Sequence, residues 1–265
     1  MPMTVQHSPS ISLASLDQLW FQVAGTLCNL TCHHCFISCS PHNRSFGFLT
    51  LPAVKQRLEE ARELGVKEYY FTGGEPFLNP QMTEILVATL RYGPATVLTN
   101  GTVWKDHWLE ALHRAEQMSE YSLEFRVSID GFSAQTNDPI RGEGTFDRIL
   151  QGIQRLVEAG FLPIITATRT WPETSELEIV RELRKTLKKI GYTRPRLKIL
   201  PALKIGAEAQ RTRGYGPLDR VTTEMLDGYD LSQLVCHQSR IVTNRGVHVC
   251  PILIDAPDSL LGNSL

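Results

Sequence analysis

No apolar run in this sequence approaches the roughly 18–20 residues that a membrane-crossing helix needs. The first twenty residues are polar and lack the hydrophobic centre of a secretory signal. Neither sign of charge is in excess: 27 Lys and Arg stand against 28 Asp and Glu, a formal net charge of −1. Nucleic-acid binding needs a net basic face, so that function class is set aside, and Arg211, Arg213 and Arg220 read as a solvated loop. No internal repeat or low-complexity segment interrupts the chain. The expected setting is the cytoplasm, with neither a membrane nor a nucleic acid as partner.

Across 265 residues, 42% hydrophobic and 21% charged content allows a substantial core in a soluble chain. Of the 6 cysteines, four fall between Cys28 and Cys39. In a reducing compartment such clustering points to metal ligation or redox chemistry rather than to disulfides.

Residues 1–17 read as a flexible leader, 18–205 as one α/β unit and 206–265 as a short extension. Gln18–Val23 is a first predicted strand, followed by a long loop that holds the clustered cysteines and runs to about Thr50; loops of that length in compact domains tend to be functional. Strands and helices then alternate. Thr50 caps a helix that Gly65 ends, with Val54, Leu58, Ala61 and Leu64 on one face. Glu68–Thr72 is a strand, and Asn79-Pro80 opens the next helix with Pro at its first position. Ala95–Thr99, Leu123–Ile129, Pro163–Thr168 and Leu197–Leu200 are further strands. The intervening helices span Trp104 to about Met118, the segment after Thr145, and the segment from Leu177 to Ile190. Such alternation implies a mainly parallel sheet with helical crossovers, and periodicity leaves open barrel and doubly wound sheet unseparated. Residues 206–231 read as irregular. Arg240–Thr243 and Val247–Cys250 pair as a hairpin across Asn244-Arg245-Gly246.

Cys28, Cys32 and Cys35 are separated by three and two residues. Gaps this short let one loop wrap a metal centre, and three thiolates can hold three irons of a cubane while the fourth iron stays open. The rival is a structural Cys₃His zinc site, with His33, His34 or His42 as fourth ligand. The loop's position directly after the first strand, at the end where α/β folds place their chemistry, favours the cluster.

The other strand ends carry Gly73-Gly74-Glu75-Pro76, Thr99-Asn100-Gly101 and Ser128-Ile129-Asp130-Gly131, with Arg141-Gly142 downstream. Together with the cysteine loop these motifs resemble the radical S-adenosylmethionine (SAM) superfamily, in its SPASM/twitch-related branch. The resemblance implies a partial (β/α)6 TIM-like barrel with a short C-terminal twitch-like hairpin extension. It further implies a [4Fe-4S] cluster on Cys28, Cys32 and Cys35 and SAM chelating the open iron. Reductive cleavage of SAM then yields a 5′-deoxyadenosyl radical that takes hydrogen from a peptide or small natural-product substrate. Gly73 and Gly74 are expected to let backbone approach the methionyl group, and Glu75 to accept from its ammonium. Asn100 and Ser128 are expected at the ribose or carboxylate, and Arg141 and Arg169 at the carboxylate or substrate. Asp130 is expected to cap the turn before Gly131. His34 stands where the family usually has an aromatic near the adenine, and Phe36 follows the third cysteine. A flavodoxin- or ferredoxin-type reductant is the expected electron donor.

Cys236 and Cys250 resemble part of an auxiliary-cluster hairpin, and their spacing resembles the GTP-cyclising enzyme of molybdenum-cofactor biosynthesis. That family's additional cysteine is Gln233 here. Three readings of the pair stand: ligands of a possible auxiliary cluster completed by Cys39 or a partner chain, a remnant holding no metal, or two buried apolar residues. Two functional alternatives accompany the leading one, a GTP-cyclase-like enzyme and a non-catalytic zinc or iron–sulfur binding protein.

Overall fold

The computed structural model describes residues 9–171 and 175–265. Six parallel strands lie side by side in chain order: β1 (Gln18–Gln22), β2 (Glu68–Thr72), β3 (Ala95–Thr99), β4 (Leu123–Ser128), β5 (Ile164–Thr168) and β6 (Arg196–Leu200). The helices are α1 (Leu51–Glu63), α2 (Met82–Thr89), α3 (Asp106–Gln117), α4 (Ala134–Arg141), α5 (Thr145–Glu158), α6 (Glu176–Lys189) and the short α7 (Ala207–Thr212). β6 is an edge, so the sheet curves without closing. The architecture is the expected partial (β/α)6 barrel.

The two-residue period of the strands explains how it packs. Leu19 and Phe21, Tyr69 and Phe71, Ala95 and Val97, Phe125 and Val127, and Ile165 and Ala167 are buried in the main core. Ile85, Leu86, Leu112, Ile149, Ile153, Leu183 and Leu187 meet them from the helices. Each such burial is worth about 1.5–3 kcal/mol. Alternate strand positions, Trp20, Tyr70, Leu98, Arg126, Ser128, Thr166 and Lys198 among them, turn the other way and line the barrel interior. One face of the sheet is thus oily and the other chemically rich.

The expected hairpin forms as β7 (Ser239–Thr243) and β8 (Gly246–His248), paired in antiparallel register. A third strand, β9 (Leu260–Gly262), follows it. β7 also pairs parallel with the outer side of β1, from Gln18↔Ser239 to Phe21↔Val242, so the extension continues the barrel sheet. Of the expected leader, residues 1–8 lie outside the described residues. In the remainder, Ala14 and Asp17 donate backbone N–H groups to His237 and Gln238 (2.9 and 3.0 Å), and Leu16 is buried.

Three local expectations are corrected. The helix expected at Asn79-Pro80 starts at Met82, because the Asn79 amide donates to the Val23 and Leu49 carbonyls (both 2.8 Å) and holds the turn open. α4 was not expected: it is short, polar and carries Pro139, but Ser133 N–H donates to Thr136 Oγ1 (3.1 Å) at its start. Residues 206–231, expected to be irregular, include α7.

Candidate functional site

The cysteine loop folds over the C-terminal ends of the strands. Cys28 N–H donates to the Ser40 carbonyl (3.1 Å) and Ser40 N–H to the Thr26 carbonyl (3.3 Å), which closes the loop on itself. His33 N–H donates to the Ile140 carbonyl at the end of α4 (2.8 Å). Gly74 docks β2 against the loop: a Cβ there would lie 2.0 Å from the Leu27 carbonyl oxygen and 2.7 Å from Cys28 N. The glycine is required by chain-to-chain contact, where the sequence suggested approach to a ligand. On the far side Ala207 N–H donates to the Cys35 carbonyl (2.9 Å), and a Cβ on Gly206 (φ +59°) would lie 2.3 Å from the Phe36 carbonyl oxygen.

These contacts enclose a cavity of about 520 Å³ on whose wall Cys28, Cys32 and Cys35 all stand, facing Gly73, Gly74 and Asn100. Backbone N–H groups already point at two of the sulfurs, Leu30 at Cys28 Sγ (3.4 Å) and Cys39 at Cys35 Sγ (3.2 Å). Burial raises the Cys28 and Cys32 thiols to about 12 and about 11. Cys35 moves the other way, to about 6, chiefly because the Cys39 thiol donates to it. The same hydrogen bond, with burial, pushes Cys39 upward.

This donor set fits an iron–sulfur cubane better than zinc. Among the described residues no three His, Cys, Asp or Glu side chains converge on a point where one ion could sit. The histidines that a Cys₃His site would recruit are elsewhere: His33 and His42 are exposed, and His34 Nε2 lies 2.7 Å from Asp130 Oδ2. Thiolates that each take a different iron of a cubane stand wider apart than thiolates sharing one ion.

Behind the cysteines lies a buried charge network. Asp130 is fully buried; its Oδ2 lies 2.6 Å from Arg141 Nε as well as beside His34, and its Oδ1 accepts the Thr168 N–H (2.7 Å). Burial would raise Asp130, but the Arg141 charge and the His34 contact outweigh it and hold the carboxyl at about 2. Arg141 Nη1 reaches to 4.0 Å from Cys32 Sγ. Asp130 is therefore the hub of three elements, where the sequence suggested a turn cap.

Glu75 also departs from expectation. It is fully buried beneath the cavity and accepts from Phe77 N–H (3.1 Å), Thr99 Oγ1 (2.8 Å) and Asn100 N–H (2.8 Å). Burial pushes it up to about 7 against those three donors. Its role here is to fix the Thr99-Asn100 turn. Asn100 then donates to Asn29 Oδ1 (2.8 Å) and lies 3.8 Å from Cys28 Sγ. Ser128, His34 and Phe36 line the cavity. Arg169 does not: it is exposed, and among the described residues only its backbone is engaged, donating to the Leu200 carbonyl (2.8 Å).

Cys236 and Cys250 come near one another at the hairpin, but Arg240 Nη1 lies between their segments, donating to the carbonyls of Cys236 (3.1 Å) and Val249 (3.3 Å). No third metal-ligating side chain joins them among the described residues. Cys39, the suggested third ligand, is committed to Cys35. The sequence reading missed Trp20, Tyr70, Arg126 and Lys198 on the cavity wall. Their alternation with the core positions was the available signal.

The sequence model of the radical SAM superfamily matches residues 23–183, more than half of the chain. The AdoMet-dependent heme synthase of Methanosarcina barkeri is 35% identical over 175 residues, covering 65% of this chain and 48% of that protein. The antilisterial bacteriocin subtilosin biosynthesis protein AlbA of Bacillus subtilis is 30% identical over 135 residues, covering 50% of this chain and 29% of that protein. The chain thus spans under half the length of these curated relatives. In fold it resembles Streptococcus suis SuiB, solved with S-adenosylmethionine (TM-score 0.69, 16% identity, 95% of this chain and 64% of that one). SuiB has also been solved with its precursor peptide SuiA (TM-score 0.70, 15% identity, 95% and 63%).

Proposed function

This chain belongs to the radical SAM superfamily, and from that premise we propose that it is an enzyme that cleaves SAM reductively to modify a peptide or small natural product. The observation that carries the reading is the convergence of Cys28, Cys32 and Cys35 on one cavity wall opposite Gly73, Gly74 and Asn100. The chemistry that a [4Fe-4S] cluster and SAM supply when bound is one-electron cleavage of SAM to methionine and a 5′-deoxyadenosyl radical, which takes hydrogen from the substrate.

The chain's own residues bind and orient. Cys28, Cys32 and Cys35 ligate, with backbone N–H groups of Leu30 and Cys39 supporting two of the thiolates. The backbone of Gly73 and Gly74, with Asn100, Ser128, His34 and Phe36, forms the SAM-facing wall. Glu75 and Asp130 position that wall from beneath. The subtilosin biosynthesis protein among the relatives, and SuiB with its precursor peptide among the fold neighbours, support a peptide substrate. A flavodoxin- or ferredoxin-type protein is the proposed reductant, since such clusters reach the low end of a range extending to about −700 mV. No helix among the described residues is long and apolar enough to cross a membrane, and we place the protein in the cytoplasm, where thiols stay reduced.

The test is anaerobic reconstitution with iron and sulfide, reduction by dithionite and addition of SAM, with 5′-deoxyadenosine measured by chromatography. The wild type should turn brown and release it; a C28A/C32A/C35A variant should do neither. A wild type that is fully reconstituted yet yields no 5′-deoxyadenosine overturns the reading.

A further inference from the structure

The inward faces of β1–β6 carry five charged side chains, Glu68, Glu124, Arg126, Arg196 and Lys198, and Lys198 is the one cation among them without an acidic partner among the described residues. Glu68 accepts from the neutral partners Gln18 Nε2 (2.8 Å) and Tyr70 Oη (2.9 Å). Glu124 is shared between Arg126 Nε (3.2 Å) and Arg196 Nη1 (2.9 Å). Lys198 forms no ion pair or hydrogen bond through its ammonium among the described residues, although it lies on the cavity wall. In the strand register it ends a row that runs Ser128↔Thr166↔Lys198, two hydroxyls followed by a cation. Arg126 stands one inward position below Ser128, its guanidinium 5.2 Å from the Tyr70 ring, and Tyr70 is stacked on Trp20 at 4.3 Å. The Glu124 contact uses Arg126 Nε, and among the described residues its two terminal nitrogens have no carboxylate partner.

We propose that this chamber recognises its substrate through a carboxylate, which pairs with Lys198 and Arg126 while the apolar remainder of the substrate rests on Trp20, Tyr70 and Leu200. β4 and β6 are separated by one strand, about 10 Å, a span that two long cationic side chains bridge through a carboxylate between them. Lys198 is exposed because β6 is the open edge of the barrel, so it also meets a substrate entering from that side. A lysine serving only to deter edge-to-edge pairing needs no hydroxyl row beside it and no second cation one inward position below that row. This inference rests on the radical SAM reading for the identity of the cavity and adds the substrate's chemical class. The carboxylate comes either from an acidic residue of a peptide or from a small acid.

The reconstituted, SAM-loaded protein is titrated calorimetrically with two probes, glutarate and N-acetyl-Ala-Glu-Ala-amide, each beside its uncharged counterpart, glutaramide or the Gln peptide. The acidic probes should bind and the amides should not. Lys198→Met should weaken acidic-probe binding about tenfold, the loss of one charge-assisted contact, and Lys198→Arg should restore it. Binding of the peptide alone identifies a peptide source; equal binding of glutarate identifies a small acid. Absence of binding by both acidic probes, or binding unchanged in K198M with its far-ultraviolet spectrum intact, overturns the inference. Failure here with 5′-deoxyadenosine still produced removes only the carboxylate assignment; carboxylate binding without 5′-deoxyadenosine removes only the enzymatic reading.

Discussion

Replacing Asp130 by Asn tests the buried network behind the cysteines. The substitution keeps shape and removes charge. It leaves Arg141, 6% exposed, as a buried guanidinium without its partner, and it sets an amide N–H₂ against either Arg141 or His34. Removing one member of a buried ion pair typically costs about 3–5 kcal/mol. For a domain of this size about 1 kcal/mol shifts the melting midpoint by about 2–4 °C, so a fall on the order of 10 °C is expected. The damage should extend to the metal site, because α4 carries both Arg141 and the Ile140 carbonyl that accepts the His33 N–H. The assay is thermal unfolding of the cluster-free and reconstituted protein, with iron counted per chain. In a D130N/R141M double variant the orphaned charge is gone and part of the loss should return. Should D130N melt within about 1 kcal/mol of wild type, the network contributes no such coupling and the argument fails.

Three further expectations follow from the same geometry. Gly74→Ala drives a methyl into the backbone of Leu27 and Cys28, so iron bound after reconstitution should fall steeply while circular dichroism still reports the barrel, and a normal iron content would contradict the fit. Asp130 sits at about 2 when folded against an ordinary 3.8, so its stabilisation is present above about pH 4 and drains away as pH falls toward 2; cluster-free protein should lose about 2 kcal/mol across that window in urea titrations, and D130N should show no matching loss. Arg169→Ala should leave SAM affinity of the reconstituted protein within about twofold of wild type by calorimetry, about 0.4 kcal/mol, because that side chain is exposed outside the cavity.

Strand and helix positions were legible because their apolar residues recur at two- and near-four-residue spacings that burial enforces. Thr50, Gly65 and the edges of Glu68–Thr72 and Ala95–Thr99 fall where those patterns and their caps predict. α4 escaped notice because its stabilisation is a capping contact and a docked arginine, neither of which has a period. The Cys28, Cys32, Cys35 spacing is local, so it could be read directly. The partners of Glu75 and Asp130 could not, since Thr99, Asn100, His34, Arg141 and Thr168 meet them only once the strand ends are assembled. β7 on the outer side of β1 was hidden for the same reason: its pairing joins residues more than two hundred positions apart.

Stability alone does not account for the charges beneath the cysteine loop. A buried ion pair replaced by well-packed apolar side chains of similar volume is often neutral or stabilising, by about 1–4 kcal/mol. An apolar core at that place would hold the barrel at least as well, as it does on the outer face of the same strands. What an apolar core cannot do is fix direction. Asp130 fixes Arg141, which faces Cys32, and His34, which lies on the cavity wall; Glu75 fixes Asn100, which faces Cys28. Each buried acid thus turns a neighbour toward the sulfur-lined wall and holds it there before any ligand arrives, so that little ordering is left to oppose binding. Holding these buried groups in short ionic and hydrogen-bonded contacts costs conformational freedom in exchange for geometry at the site. On this argument the residues most sensitive to conservative exchange are the two acids the cavity never touches, ahead of several that line it.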